Sequence, residues 1–516
     1  AIKIKYDGKY YTGPEGRSLR ITYQKAADGW AACWTFLNSD LAAGMDISSY
    51  NFLGFRVKGE KGGEMFNVNL VDTDDHTAAF SCMKYLFSGA GTEWQQVIIP
   101  FSDMPFEAVN LKNVKNISFD FPRIGKGILY IDQLELGYKK DLKITRDYSR
   151  LLKVKPGPGS AGTPLDWLRS QKGSMGLIRS FNDGTSLAHI YDQSLSVIAF
   201  SAAGERSMAE DILKFLAKHQ SKNGSFPASY DAETGDVLNP VSYSGNNAWV
   251  LMAINYYTYT FKDNSFLAAG RRIGDYLLSR RDTDKVMLGS PGVKWVSVEH
   301  QADGYSALTY LCELTKDEKY RKAADEMRAW VEREMWILSK AQKGPKLNIP
   351  AFWTGRNDFG GISTDCQTWT ILSFGPKNMK GEPAGRCLDW LLTSTCRVRA
   401  DYGEIKAVDG FDFDSFELNF DDKKTPADES KQRSDTVWFE GTEGAACAFY
   451  FTGNTKTGDY FHGQSKRVMA ASGGIPYSTP AFDLFGRSNF FLSLASTAWY
   501  EFNELKINPF RPDNRK

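Results

Sequence analysis

The chain has 516 residues, too many for one ordinary core, so two or three domains are expected. Its net charge is +1 with acids and bases interspersed, which argues against a nucleic-acid footprint or a strongly charged polymer as ligand. No apolar run approaches the length of a membrane span, no segment reads as a signal peptide, and the one compositional excess is aromatic, at 14% with 13 Trp and 24 Tyr.

Residues 1–140 read as β. "NFLGFRVKG", "MFNVNLVD", "WQQVIIPF", "NISFDF" and "ILYIDQLEL" are short runs rich in branched and aromatic residues, separated by Gly, Asn and Asp turns. Several such runs without an intervening helical period predict a β-sandwich. Residues 141–164 are assigned to a linker, on the strength of the Pro/Gly/Ser-rich stretch "KVKPGPGSAGTP" at 153–164. The acids of "VDTDDH", at 72, 74 and 75, are read as a solvated turn.

From residue 165 to 516 the period becomes helical. "SMAEDILKFLAKHQ", "FLAAGRRIGDYLLSR", "EKYRKAADEMRAWVEREM", "AGRCLDWLLTSTC" and "GDYFHGQSKRVMAAS" each carry one apolar stripe opposite charged residues. Between them lie segments that are apolar almost all round and begin in a polar, aromatic-rich turn, near residues 191, 246, 299, 365, 440 and 496. A helix apolar on every side must be buried, and a one-faced helix must cover it. The alternation therefore works as an internal repeat and predicts a ring of six parallel inner helices wrapped by outer ones, with the six polar starts meeting at one mouth. The seven cysteines (33, 82, 312, 366, 387, 396 and 447) show no CxxC and no metal-like spacing, so they are read as buried free thiols. No metal or cofactor is expected. "FDFDSFELNFDDKK", residues 411–424, lacks the spacing of a calcium loop and is read as a solvated loop.

The ordered set "SVEHQADGY", "DCQTW", "VWFEGTEGA", "GGIPYSTP" and "ASTAWYEF" resembles the six-hairpin, (α/α)6-toroid glycosidase superfamily over roughly residues 165–512. The N-terminal part, ending in "ILYIDQLEL", is similar to a carbohydrate-binding-module jelly roll. The resemblance implies an N-terminal β-sandwich followed by an (α/α)6 toroid. It also implies an enzyme that works outside the cytoplasm, secreted or periplasmic, on a polysaccharide or oligosaccharide, using a pair of carboxyl groups.

Glycoside hydrolysis needs one carboxyl group to protonate the leaving oxygen and a second to activate water or attack the anomeric carbon. The acids at the predicted mouth are Asp192, Glu299, Asp303, Asp365 and Glu440. Acids are favoured in the first turn of any helix by its positive end, and "TDCQ" even fits a capping box returning Gln367 to the Thr364 amide. Taken together, though, several exposed helix starts do not usually bring Trp and Tyr along. Glu299, flanked by Trp295, Val296 and Val298, is the first choice for general acid, with Glu440 its rival. Asp365 and Asp192, in more polar settings, are candidates for the base, and inversion is the expected outcome because the acids arise from different helices. Tyr191, His300, Gln301, Asp303 and Gln367 are read as substrate-binding, with orienting Glu299 the other reading of Asp303 and a bond to a neighbouring acid that of His300; Trp249, Trp369, Trp438, Tyr477 and Trp499 are read as sugar-stacking platforms of which about half should turn out to be core. Two other readings stand. A lyase would use His300, Tyr305 and Tyr477, with only Lys294, Arg356 and Arg487 near to neutralise a uronate, and a degenerate toroid would bind glycan without cutting it.

Overall fold

The computed structural model describes residues 2–25, 31–64, 66–82, 85–86, 90–101, 109–121, 125–140, 142, 162–344, 348–356, 362–375, 386–394, 396–414, 436–479 and 491–513. Most of the expected linker, and the greater part of the 411–424 loop, lie outside these residues. The chain divides into two compact units, the first taking residues 1–150 and the second nearly all of the remainder.

The first unit is a two-sheet β-sandwich. Its strands are β1 (Ile2–Asp7), β2 (Ser18–Lys25), β3 (Ala32–Phe36), β4 (Phe52–Gly59), β5 (Asn67–Asp72), β6 (Thr77–Ser81), β7 (Gln95–Pro100), β8 (Val114–Asp120) and β9 (Gly125–Gly137). One sheet runs β1-β2-β9-β4-β7 and the other β3-β8-β5-β6, with antiparallel pairing throughout. The period-2 alternation sends Leu53, Phe55 and Val57 of β4, Val68 and Leu70 of β5, and Ile117 and Phe119 of β8 into one core. β1 escaped the sequence reading because it is an edge strand whose side chains are mostly exposed, so no apolar alternation marks it. Asp72 is not solvated, contrary to expectation. It is fully buried and accepts the amides of Asp74, His76 and Asn110, which ties two turns together.

The second unit is built from helices that alternate between two roles. The inner ones are α2 (Ile190–Ala203), α4 (Ser244–Phe261), α6 (Val298–Thr315), α8 (Thr364–Phe374), α10 (Phe439–Phe451) and α12 (Leu494–Glu504). Each packs on the next, and α12 returns to α2, so the six close a ring. The outer ones are α1 (Pro164–Ser170), α3 (Arg206–His219), α5 (Leu267–Ser279), α7 (Glu318–Trp330), α9 (Arg386–Thr393) and α11 (Thr455–Val468). Each outer helix from α3 to α11 covers the inner helix before it, while α1 covers α12, so the two ends of the toroid chain complete the sixth hairpin. α1 was not anticipated, because seven residues give too short a stripe to read as periodic.

The ring is held by a device repeated six times. The fourth residue after each inner helix's N-cap is an amide or a threonine: Gln193, Asn247, Gln301, Gln367, Thr442 and Thr497. Each accepts the amide of a buried apolar residue in the preceding loop: Ile178, Phe226, Met287, Phe352, Phe411 and Ile475 respectively. Each also donates back to its own N-cap carbonyl. Gln301 and Gln367 are therefore not substrate ligands. Both are fully buried, with every polar atom committed to backbone. The proposed Thr364–Gln367 capping box is absent as well, since Ser363 is the N-cap and Thr364 donates to the Asp412 carbonyl. Gln301→Ala orphans the Met287 amide and carbonyl in a dry site. It should cost about 2–4 kcal/mol in denaturant unfolding, and a loss below about 0.5 kcal/mol, the usual range for an uncommitted surface side chain, would show that the clamp is not structural.

Candidate active site

The six-fold register shows which side chains share a level. Two residues after the N-caps stand Tyr191, Gly245, Glu299, Asp365, Glu440 and Ala495. Three consecutive inner helices, α6, α8 and α10, thus place a carboxyl group at the same height, and α2 faces them with a phenol. That these starts meet is shown by contacts across the ring. The Tyr191 hydroxyl donates to Glu440 Oε1 at 2.6 Å although α2 and α10 are not neighbours, and it accepts the Trp499 indole N–H at 3.0 Å. Asp192 is buried but sits one position off this level, in register with His300 and Cys366.

One turn deeper, the sixth residues after the N-caps are Leu195, Trp249, Asp303, Trp369, Gly444 and Trp499, so tryptophans occupy every second helix. Trp369 and Trp499 stack at 5.9 Å, Trp249 meets both edge-on, and Phe510 from the chain's end closes on all three. These rings seal the ring interior and form the floor of the mouth. Trp249, Trp369, Trp438, Tyr477 and Trp499 are all at least nine-tenths buried, so none offers an open stacking face, and more of them are core than expected. Among the described residues of the second unit, the exposed tryptophan is instead Trp295, which the sequence reading used only as an apolar neighbour of Glu299. The signal available was its place in "PGVKWVSVE", a Trp among Gly and Lys immediately before an inner helix.

The carboxyl groups are unequal. Desolvation pushes Glu299 well above the usual carboxyl range, and the charges of Asp365 and Glu440 push it further. Asp365 is raised by burial too, but hydrogen bonds from Ser363 and from the Cys366 amide, at 2.6 Å, oppose the rise. Tyr191 is raised well above 10 by burial and by Glu440, so it stays a proton donor towards that carboxylate. Asp303, one turn below Glu299, is fully buried and likewise held protonated by desolvation and then by Glu299 and Asp365, with the nearby Trp249 indole pulling weakly the other way. Neither of its oxygens makes a hydrogen bond of good geometry among the described residues. Closed off from solvent, it does not bind a sugar hydroxyl in this conformation. Burial lowers His300 to about 4, so it is a neutral imidazole.

The lyase candidates fare differently. Tyr305 points away from the mouth, against Phe374 and the Arg328 guanidinium of α7. Arg356 is committed to Asp282, Asp284 and the Lys294 carbonyl. Arg487 lies outside the described residues.

Residues 3–138 match the family model of carbohydrate binding domain 30, which covers the first unit. No curated protein matches the chain. Among solved structures, one described as a wild-type glycosidase is 13% identical over 66% of this chain and 95% of its own, with a TM-score of 0.49. A novel alpha-amylase from Clostridium perfringens is 10% identical over 67% of this chain and 96% of its own, at 0.47. A family 30 carbohydrate-binding module from a cellulosomal cellulase of Clostridium thermocellum is 21% identical over 27% of this chain and 83% of its own, at 0.23. The first unit is thus of the carbohydrate-binding-module kind, and the ring of inner and outer helices follows it in the chain. Among the described residues no helix is long and apolar enough to cross a membrane.

Proposed function

We propose that the protein is a glycoside hydrolase acting on a neutral polysaccharide or oligosaccharide by an inverting, carboxylate-pair mechanism. The observation that carries this reading is the arc of Glu299, Asp365 and Glu440 at one level of three consecutive inner helices, with Glu299 kept protonated and Glu440 receiving a hydroxyl proton. Glu299 donates its proton to the glycosidic oxygen, and Glu440, oriented by the hydrogen bond from the Tyr191 hydroxyl, takes a proton from the attacking water. Asp365 keeps Glu299 protonated by its charge and stands second in line as base. Asp192 is left out of this scheme because it sits one position off the level of the other acids. Inversion is favoured because Glu299 and Glu440 arise two helices apart, and neighbouring helices pack about 8–10 Å from axis to axis, which leaves room for a water.

A neutral substrate fits a mouth lined by acids, and Arg356, which braces the loop before α6, is already ion-paired. That is also why we prefer hydrolysis to elimination, which must neutralise a uronate. The first unit would hold the polymer. Trp34 on β3 is half exposed on the sheet face opposite the core, in line with Ser118 and Asn69 of the neighbouring strands. Such an enzyme would meet its polymer outside the cytoplasm. Incubation with a panel of neutral α- and β-linked glycans should release new reducing ends. Release only of unsaturated uronates from acidic glycans, or binding with no cleavage of any, would reject the proposal.

A further inference from the structure

We propose that Trp295 is the sugar-binding face on the leaving-group side of the cleft, stacking the pyranose that departs when Glu299 protonates the glycosidic oxygen. This rests on the hydrolase reading above and names a subsite within it.

The first support is position. Around the ring the acids run from Glu440 on α10 through Asp365 on α8 to Glu299 on α6, and the next inner helix is α4. Trp295 stands just before α6 on the α4 side. Its ring lies 5.1 Å from His300, which follows Glu299 directly, and His300 in turn is seated against Gly245 of α4, where a Cβ would come within 2.3 Å of the imidazole. Passing from base to donor and onward therefore leads to Trp295. In a glycosidase the donor stands between the two sugars, so what lies beyond it on the side away from the base receives the leaving one.

The second support is construction. The loop carrying Trp295 is braced at several points. Gln301 clamps Met287, Arg356 ties Asp282 and Asp284 to the Lys294 carbonyl, and the Gly289 amide donates to the Trp295 carbonyl at 3.0 Å. Gly289 also provides the seat itself, since a Cβ there would come within 2.1 Å of the indole. Yet Trp295, so carefully held, is 43% exposed, whereas Trp249, Trp369 and Trp499 are buried. A rigid, solvent-facing indole suits the apolar face of a pyranose, and its rotamer entropy is lost before the ligand arrives. His300 beside it is neutral, more than nine-tenths buried and has no partner for Nδ1, so it adds no charge to the subsite.

The test compares wild type, Trp295→Ala and Trp295→Phe on neutral gluco-, manno- and galacto-oligosaccharides and on the corresponding glycosyl fluorides, whose leaving group carries no sugar. On the oligosaccharide that wild type cleaves, Trp295→Ala should lower kcat/KM roughly 10- to 100-fold, mainly through KM, the scale of one lost stacking contact. On the fluoride of the same sugar it should stay within about twofold, and Trp295→Phe should recover most of the oligosaccharide loss. Equal losses on both substrates, or no loss on either, would overturn the subsite while leaving the hydrolase reading intact. A wild type inert on every oligosaccharide and fluoride would overturn that reading and the subsite with it.

Discussion

Glu299→Gln is expected to lower turnover on an oligosaccharide by roughly 10²- to 10⁴-fold, the usual worth of general acid catalysis, with KM little changed. The amide keeps the size and hydrogen bonding of the acid but has no proton to transfer. A glycosyl fluoride, whose leaving group needs no protonation, should lose far less. The pH behaviour follows from the same environment. Because burial and two neighbouring charges raise Glu299 in the folded state, its proton survives well above the usual carboxyl range, and activity should fall on the alkaline side as that proton is lost. The stability effect has a definite sign. A group whose folded pKa is raised contributes stability that is present below its unfolded pKa and lost as pH rises through the folded one. Thermal melts should therefore find Glu299→Gln more stable than wild type on the alkaline side, with the difference vanishing below about pH 4, under the ordinary glutamate pKa. Full activity of Glu299→Gln on the oligosaccharide would remove Glu299 from the role and leave it to Glu440.

Glu440→Gln should be as damaging, by roughly 10²- to 10⁴-fold, but without selectivity, because the attacking water must lose its proton whichever group departs. Loss on both the oligosaccharide and the fluoride is the expected result. Tyr191→Phe, which removes the hydrogen bond into Glu440 and leaves the Trp499 indole N–H without that acceptor, should be milder on both. If Glu440→Gln spares the fluoride and Asp365→Asn does not, Asp365 is the base and the Tyr191–Glu440 bond serves packing.

What could be read in advance divides along physical lines. The change of period along the chain was enough for a β-sandwich followed by six inner helices, because burial on one face, on all faces or on alternate residues leaves different patterns in sequence. The level of each side chain was not legible. The six helix starts were placed near 191, 246, 299, 365, 440 and 496, one residue off the true register at Gly245 and Ala495. Only the clamping amide or threonine two residues further on fixes it, and before the loops are seen that residue looks like one more polar group at a mouth. Gln301 and Gln367 were misjudged for that reason. The tryptophans were misjudged for a related one. An aromatic six residues after an N-cap points into the ring whether the cavity there is open or filled, and here Phe510, 141 positions after Trp369 in the chain, fills it. Tyr191 was read as substrate-binding, but its hydrogen-bond partner Glu440 lies 249 residues away, and no local pattern encodes that bond.

The most direct measurement is a crystal structure of Glu299→Gln with an oligosaccharide that wild type cleaves. The account predicts the scissile oxygen within hydrogen-bonding reach of the residue 299 amide, roughly 2.6–3.2 Å, a water between the anomeric carbon and Glu440, and the departing sugar against Trp295. A chain bound to the mouth with its scissile bond remote from both Glu440 and residue 299, or bound only to the β-sandwich, would contradict it.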